Sequence, residues 1–423
     1  MAIPMKDFER LSPSTRELES AAQLGSPEAQ FQYAERLRRR SRLDDDRREA
    51  LHWYGQAAKG GHAGAQHRLG VALLEGQGCA RDPAAALGWF LAAAEQNHAE
   101  AQALAGWCYH TGNGTRVDLE RAFRWYYAAA VNGNAVAQFN LGELYAQGAG
   151  VARDPYAAVR HWQAAAEQNY AKAQLNLALA YANGEGVERD YELAIYWCGR
   201  AAAHGYAKAE FNLGLLYASA PPRLRDMAAA ELWLTQAADR GFAPAQYALG
   251  RHYQKQGGML AVQALGWFRK AADQSHAKAV YRIALAYETG DCGVPVNKPR
   301  AAAWMRHAAQ LGHAPAQYEI GRRGLFGQVP GVVKEEAIAW LDKAACQGHV
   351  RAQYGMGMCY AKGVGVAQDP VRAWLWLALA AEQDFPKAKY KLQVLEAQIE
   401  PRLLQDARRE LARQRGQIKA ALV

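Results

Sequence analysis

Cysteine is scarce in this chain, and what there is does not pair. Six occur in 423 residues, at Cys79, Cys108, Cys198, Cys292, Cys346 and Cys359. Their spacing never repeats, which argues against a disulfide framework and leads us to expect reduced thiols in a cytoplasmic setting. No apolar run is long enough to cross a bilayer. The opening ten residues lack the apolar core of a signal peptide. There is no Gly-x-x-x-x-Gly-Lys-Ser/Thr loop and no Gly-x-Ser-x-Gly elbow. The Gly-x-Gly pairs that do occur follow helical patterns rather than strands, so they do not read as phosphate cradles. No separate stretch remains for a catalytic domain. We therefore expect no enzyme, no cofactor and no metal.

What the chain does have is one phrase, repeated. It is clearest at Ala135-Val136-Ala137-Gln138-Phe139-Asn140-Leu141-Gly142, and its second Ala recurs at Ala29, Ala65, Ala101, Ala137, Ala173, Ala209, Ala245, Ala279, Ala316, Ala352 and Ala388. The gaps are 36 residues six times, then 34, 37, 36 and 36. A fixed period of this length signals stacked units. Counting from that reference Ala, aromatic residues fall two places on (Phe31, Phe139, Tyr247, Tyr318), Leu or Ile four places on (Leu69, Leu141, Ile283), and Tyr eight places on (Tyr109, Tyr145, Tyr287, Tyr360). Offsets of four share one helix face, and the offset of two widens it. Glycines then stop this first helix, as at Gly148 and Gly150. An Asp at 82, 118, 154, 190 and 369 is placed to cap the next one, with Pro83, Pro155 and Pro370 directly after.

The second helix has a tighter signature. Twelve residues before the next reference Ala stands Trp53, Trp89, Trp125, Trp197, Trp233, Trp267, Trp304, Trp340 or Trp376; in repeat four the slot holds His161, with Trp162 beside it. Ala lies three places before this slot, and an Ala-Ala pair four and five places after it. Small residues opposite a large ring let helices approach while the ring fills the gap between them.

This phrase closely resembles the Sel1-like repeat family, relatives of the tetratricopeptide repeats, over residues 26–385. The resemblance implies an all-α fold: a right-handed α-solenoid superhelix of about ten to eleven helix-turn-helix repeats. Residues 1–25 would be an N-terminal capping helix, 26–385 ten repeats in one continuous solenoid, and 386–423 C-terminal capping helices. It also implies a scaffold or adaptor for other proteins. Some members are secreted and carry a disulfide in each repeat; this chain departs from that pattern.

The irregular places are few. Residues 14–24 read as a lone second helix with Glu17 in the Trp slot, as suits a cap. Residues 36–48 replace the glycine loop of repeat one with an Arg-rich run followed by three Asp residues. That pattern reads as a solvated helix and turn or as a nucleic-acid patch, and the Asp run argues against the second. The loops of repeats six to nine, including the double Pro at 221 and 222, are either drift or a contact surface. A last helix over residues 402–415 is basic, and reads as a solvated cap or as an RNA or membrane contact. His62, His98, His276, His313 and His349 share one turn position, one repeat or more apart. That spacing makes a structural ladder rather than a converging metal site.

For partner binding the informative position is three places after the reference Ala. It holds Asn140, Asn176 and Asn212 in consecutive repeats. In related helical arrays the first helices line the concave face, so these amides would form a row suited to a peptide backbone. With Glu143 and Arg251 nearby, they are the candidate partner-binding residues; the other reading is that they bond within the scaffold. The net charge of +9 favours acidic partners in a general way. The expected function is a non-enzymatic, cytoplasmic, bacterial protein-interaction scaffold. The alternative is a nucleic-acid-binding module using the basic terminal regions.

Overall fold

The computed structural model describes residues 13–40, 44–329 and 331–421. The opening ten residues, and residues 41–43 in the middle of the Arg-rich run, lie outside the described residues. Among those described there are 23 helices and no strand, in helix pairs that follow the sequence period. A representative pair is Ala135–Gln147 and Pro155–Glu167 of repeat four.

The boundaries of each helix follow from single residues. Asp154 has extended backbone and its Oδ1 accepts from the backbone N–H of Tyr156 and Ala157, with Pro155 in the first turn. Asp190 likewise accepts from two N–H groups, and Asp82, Asp118 and Asp369 each accept from the N–H three residues on. At the far end of the first helix, Gly148 takes φ 69° and returns its N–H to the Leu144 carbonyl. Asp154→Ala should cost about 1 kcal/mol by freeing those two donors, read as a lower urea midpoint with the far-UV spectrum of the native state unchanged.

The His positions prove to be caps as well. His62, His98, His276 and His349 each accept the N–H three residues on through Nδ1, as Asn134 does through its amide oxygen. His313 occupies the same position without that bond. Burial first, then the charges of Lys278 and Arg282, pull its pKa down to about 4, so it stays neutral.

Packing inside a repeat corrects one expectation. The Trp slot is only half-buried everywhere. The residue that fills the gap between the two helices is the next one: Phe90, Tyr126, Trp162, Leu234, Phe268, Leu341 or Leu377. It sits over the Gly of the Leu-Gly pair. A Cβ at Gly70 would meet Phe90 at 2.6 Å, and one at Gly142 would meet Trp162 at 2.6 Å. Helix axes this close need glycine for space, not for backbone freedom.

The slot Trp instead fastens one repeat to the one before. Trp89 packs on the cluster of Ala57, Ala58 and Ala65; Trp125 packs on Ala93, Ala94 and Ala101. Trp267, Trp340 and Trp376 repeat the arrangement. His161, in the corresponding place of repeat four, stacks on Tyr145 at 5.6 Å. The second loop glycine adds a backbone contact: a Cβ at Gly150 would lie 2.3 Å from the Leu119 carbonyl oxygen of the preceding repeat.

The chain divides into two compact units. The first runs through Ala209 and includes Ser219–Arg225. It holds the helix Pro13–Gln23 and the first five helix pairs. The second comprises Glu210–Ala218 and everything from Asp226 onward, ending in Pro386–Glu396 and Pro401–Ala421.

Candidate interaction face

The first helix of each repeat carries the positions left over once packing is satisfied. Its reference Ala is fully buried, as at Ala137, Ala173, Ala245 and Ala352. The residue two places on stacks against the cap residue of the following repeat: Phe31 on His62 at 4.3 Å, Tyr281 on His313 at 4.5 Å, Tyr318 on His349 at 4.8 Å. The residues three and six places on remain half-buried or exposed, and form the outward strip.

The residue directly after the reference Ala belongs to the scaffold. Gln66, Gln102, Gln138, Gln246, Gln317 and Gln353 are all buried. Each donates from Nε2 to the Ala carbonyl eight residues earlier, and accepts at Oε1 from an amide about one repeat on: Gln96, Asn132, Gln168, Gln274, Gln347 and Gln383. Both ends of a buried amide are thereby satisfied, as burial demands. Other repeats depart from this: repeat eight has the buried Val280 in place of the amide. Gln174 leaves its Oε1 buried and unpartnered. Glu210 replaces the amide and takes Arg240 Nε at 2.8 Å. The Gln recurrence is visible in the sequence, but its burial is not.

In the first unit, the strip contains three of the sequence candidates. Asn176 donates from Nδ2 to Glu143 of the preceding first helix. Burial raises the Glu143 carboxyl above its ordinary pKa, against the Asn176 hydrogen bond and the Lys208 charge, which lower it. Asn140 instead turns its amide to the Val136 carbonyl of its own helix, at 2.9 Å. Asn176 and Glu143 are thus brought together, and Asn140 is half-exposed.

In the second unit, Asn212 is half-buried and Arg251 is exposed. Arg251 and Arg282 bond the Tyr247 hydroxyl; burial raises the phenol, but these two hydrogen bonds and charges bring it below its ordinary value. Further along, Arg323 bridges Glu288 at 2.7 Å and Glu319 at 3.0 Å, while Arg322 holds Glu319 at 2.9 Å. These charges are paired within the strip.

The Arg-rich first repeat is also partly committed. Glu35 accepts from Tyr54 at 2.7 Å, Arg68 at 2.8 Å and Arg38 at 2.9 Å. Arg36, Arg47 and Arg48 have partners of their own.

All six thiols are pushed up by burial, to about 11 at Cys108, Cys292 and Cys359 and about 12 at Cys198, the opposite of an activated nucleophile. Among the described residues, no group of three His, Cys, Asp or Glu side chains could hold a metal ion. No described helix is long and apolar enough to cross a membrane.

Helix pairs in register, Ala–Trp fastening and glycine-spaced partners define an α-solenoid repeat protein. The Sel1 repeat profile matches ten consecutive segments: 27–62, 63–98, 99–134, 135–170, 171–206, 207–242, 243–276, 277–313, 314–349 and 350–385. The chain belongs to the Sel1 repeat family. Among solved structures it is similar to c5321, a protective antigen of uropathogenic Escherichia coli strains with an SLR fold: 28% identity, TM-score 0.62, covering 95% of this chain and 94% of that one. It is also similar to a Sel1 repeat protein from Oxalobacter formigenes: 30% identity, TM-score 0.52, covering 57% of this chain and 96% of that one. Among curated proteins, none matches it. Sel1 repeat proteins are generally scaffolds for protein interaction.

Proposed function

We propose that this chain is a non-enzymatic adaptor, bacterial and cytoplasmic, that holds a partner protein or peptide along the outward strip of its first helices. The observation that carries the reading is the division of labour within each first helix. The reference Ala and the residues one, two, four and five places on are spent on packing and on the amide ladder, while the residues three and six places on stay half-buried or exposed. A pre-formed surface of this kind pays little ordering cost on binding. The unpaired cysteines suit a reducing compartment, and the two solved structures named above come from bacteria. We assign residues 26–385 to the array and the flanking residues 1–25 and 386–423 to its caps.

Within the strip we assign contact roles to Asn140, Glu143, Asn176, Asn212 and Arg251. The half-exposed Asn140 amide and the Asn176–Glu143 pair offer both donors and acceptors to an extended backbone. Replacing Asn140, Asn176 and Asn212 together with Ala should weaken capture of a partner from nuclease-treated lysate by about tenfold, with unchanged far-UV circular dichroism. Capture as strong as wild type would sink the site. Recovery of nucleic acid instead of protein, lost steeply as salt rises, would overturn the adaptor reading itself.

A further inference from the structure

Two departures from the repeat coincide at one place in the second unit. Ten residues after the reference Ala, the first helices carry a polar residue: Glu75, Thr111, Gln147, Asn183, Thr289 and Lys362 are typical. In repeat nine this position is Phe326, with 72% of its surface exposed. Three residues after the reference Ala, other repeats carry side chains such as Arg68, Asn140, Arg282 and Glu319. In repeat ten this position is Gly355. A Cβ built there meets nothing nearer than Leu341 Cδ2 at 3.8 Å.

One departure adds an apolar ring and the other removes a side chain, and both border the same cleft. Its volume is about 330 Å³, with Leu341, Met358 and Cys359 among its lining and Phe326 at its side. That lies at the small end of ligand-binding clefts, which run from about 300 to 1,000 Å³, so it admits one or two side chains rather than a folded surface. Arg322, Arg351 and Lys362 are the charged residues that line it; no acidic residue does. Arg322 is held by Glu319. Arg351 and Lys362 are exposed and make no ion pair with a described residue.

We propose that this cleft docks an extended acidic segment of a partner protein. One aromatic or aliphatic side chain of that segment enters beside Phe326 and Met358, and flanking carboxylates lie against Arg351 and Lys362. An exposed aromatic over an apolar cleft supplies the anchor typical of binding hot spots; the unopposed cations choose the sign of the partner. The proposal rests on the adaptor reading and names the chemistry of one contact within it.

The test uses the full chain and a displayed library of random peptides. Gly355→Gln fills the cleft, and because Gln has higher helix propensity than Gly, it should not weaken the fold. Phe326→Ser removes the anchor from an exposed position. Peptides selected on the wild-type chain should carry an aromatic or aliphatic residue flanked by Asp or Glu. Their affinity should fall about tenfold or more on either variant, while the melting temperature of Gly355→Gln does not fall. Arg351→Glu with Lys362→Glu should abolish binding of the same peptides. Peptides that bind both variants as tightly as wild type, or that are selected without acidic residues, would overturn the cleft while leaving the adaptor reading in place. Absence of any selected peptide would likewise overturn the cleft, whereas recovery of nucleic acid in place of protein on the full chain would overturn the adaptor reading beneath it.

Discussion

Gly142→Val is expected to destabilise the first unit by about 3 kcal/mol. The Gly142 backbone lies against the indole of Trp162, so that a Cβ would stand 2.6 Å from both Cδ1 and Nε1 and 3.0 Å from the Ala158 carbonyl oxygen. The ring cannot retreat without leaving its place between Ala135–Gln147 and Pro155–Glu167, and the carbonyl is helix backbone. Two further carbons and branching at Cβ make the conflict worse than Ala would. Because a repeat array need not unfold in one step, the effect is best read locally, as faster amide exchange in those two helices, alongside a lower urea midpoint. The control is Gly88→Ala. Gly88 is also mid-helix, but a Cβ there meets nothing within 4 Å, so the change should stabilise by about 0.5–1 kcal/mol through helix propensity alone. Equal effects at Gly142 and Gly88 would contradict the assignment of the helical glycines to close packing.

These glycines also show where the sequence is readable. The period, the helix pairs and the Asp caps are local properties, and the structure has Asp82, Asp118, Asp154, Asp190 and Asp369 at the helix starts where the spacing places them. Gly133 and Asn169, one residue past the C-caps of their second helices, take φ 80° and 63°. The reading goes astray where identity and role separate. Trp is the residue that repeats, so it draws the eye as the interhelical wedge. The wedge is its neighbour, whose identity drifts through Phe90, Tyr126, Trp162, Leu234 and Leu341. The signal was in the small residue opposite, at Gly70, Gly106, Gly142 and Gly250, whose near-uniformity marks a close approach.

The polar positions were less legible still. A Gln recurring after the reference Ala looks like a surface preference until its two partners are known, and those partners lie eight residues back and about thirty on. The Asn row illustrates the same limit. Spacing puts Asn140 and Asn176 at equivalent positions, but not on equivalent partners: one amide goes to Val136 of its own helix, the other to Glu143 of the neighbouring first helix. Side-chain hydrogen bonds depend on which residue happens to stand across the groove, and that is a property of two repeats rather than one.

The amide ladder gives the second large expectation. Where most repeats bury Gln, repeat six buries Glu210. Its side chain is 2% exposed, against 53% for Arg240, whose Nε donates to Oε1 at 2.8 Å. The other oxygen, Oε2, is buried with no hydrogen-bond partner. Arg240 is therefore what offsets the burial of this carboxylate. Removing one member of a buried ion pair strands the other, at a cost of about 3–5 kcal/mol; the half-exposed guanidinium places Arg240→Ala near the lower end. Glu210→Gln in the same background removes the stranded charge and should recover most of that loss. Glu210→Gln with Arg240→Gln rebuilds the pairing found between Gln138 and Gln168, at 2.8 Å, and should lie within about 1 kcal/mol of wild type. Urea denaturation of wild type, Arg240→Ala, Glu210→Gln and Glu210→Gln with Arg240→Ala, with amide exchange in Met227–Asp239 as the local readout, closes the cycle. A loss in Arg240→Ala that Glu210→Gln leaves untouched would mean that Arg240 acts through its packing rather than its charge, and that repeat six tolerates a buried carboxylate without an opposing cation.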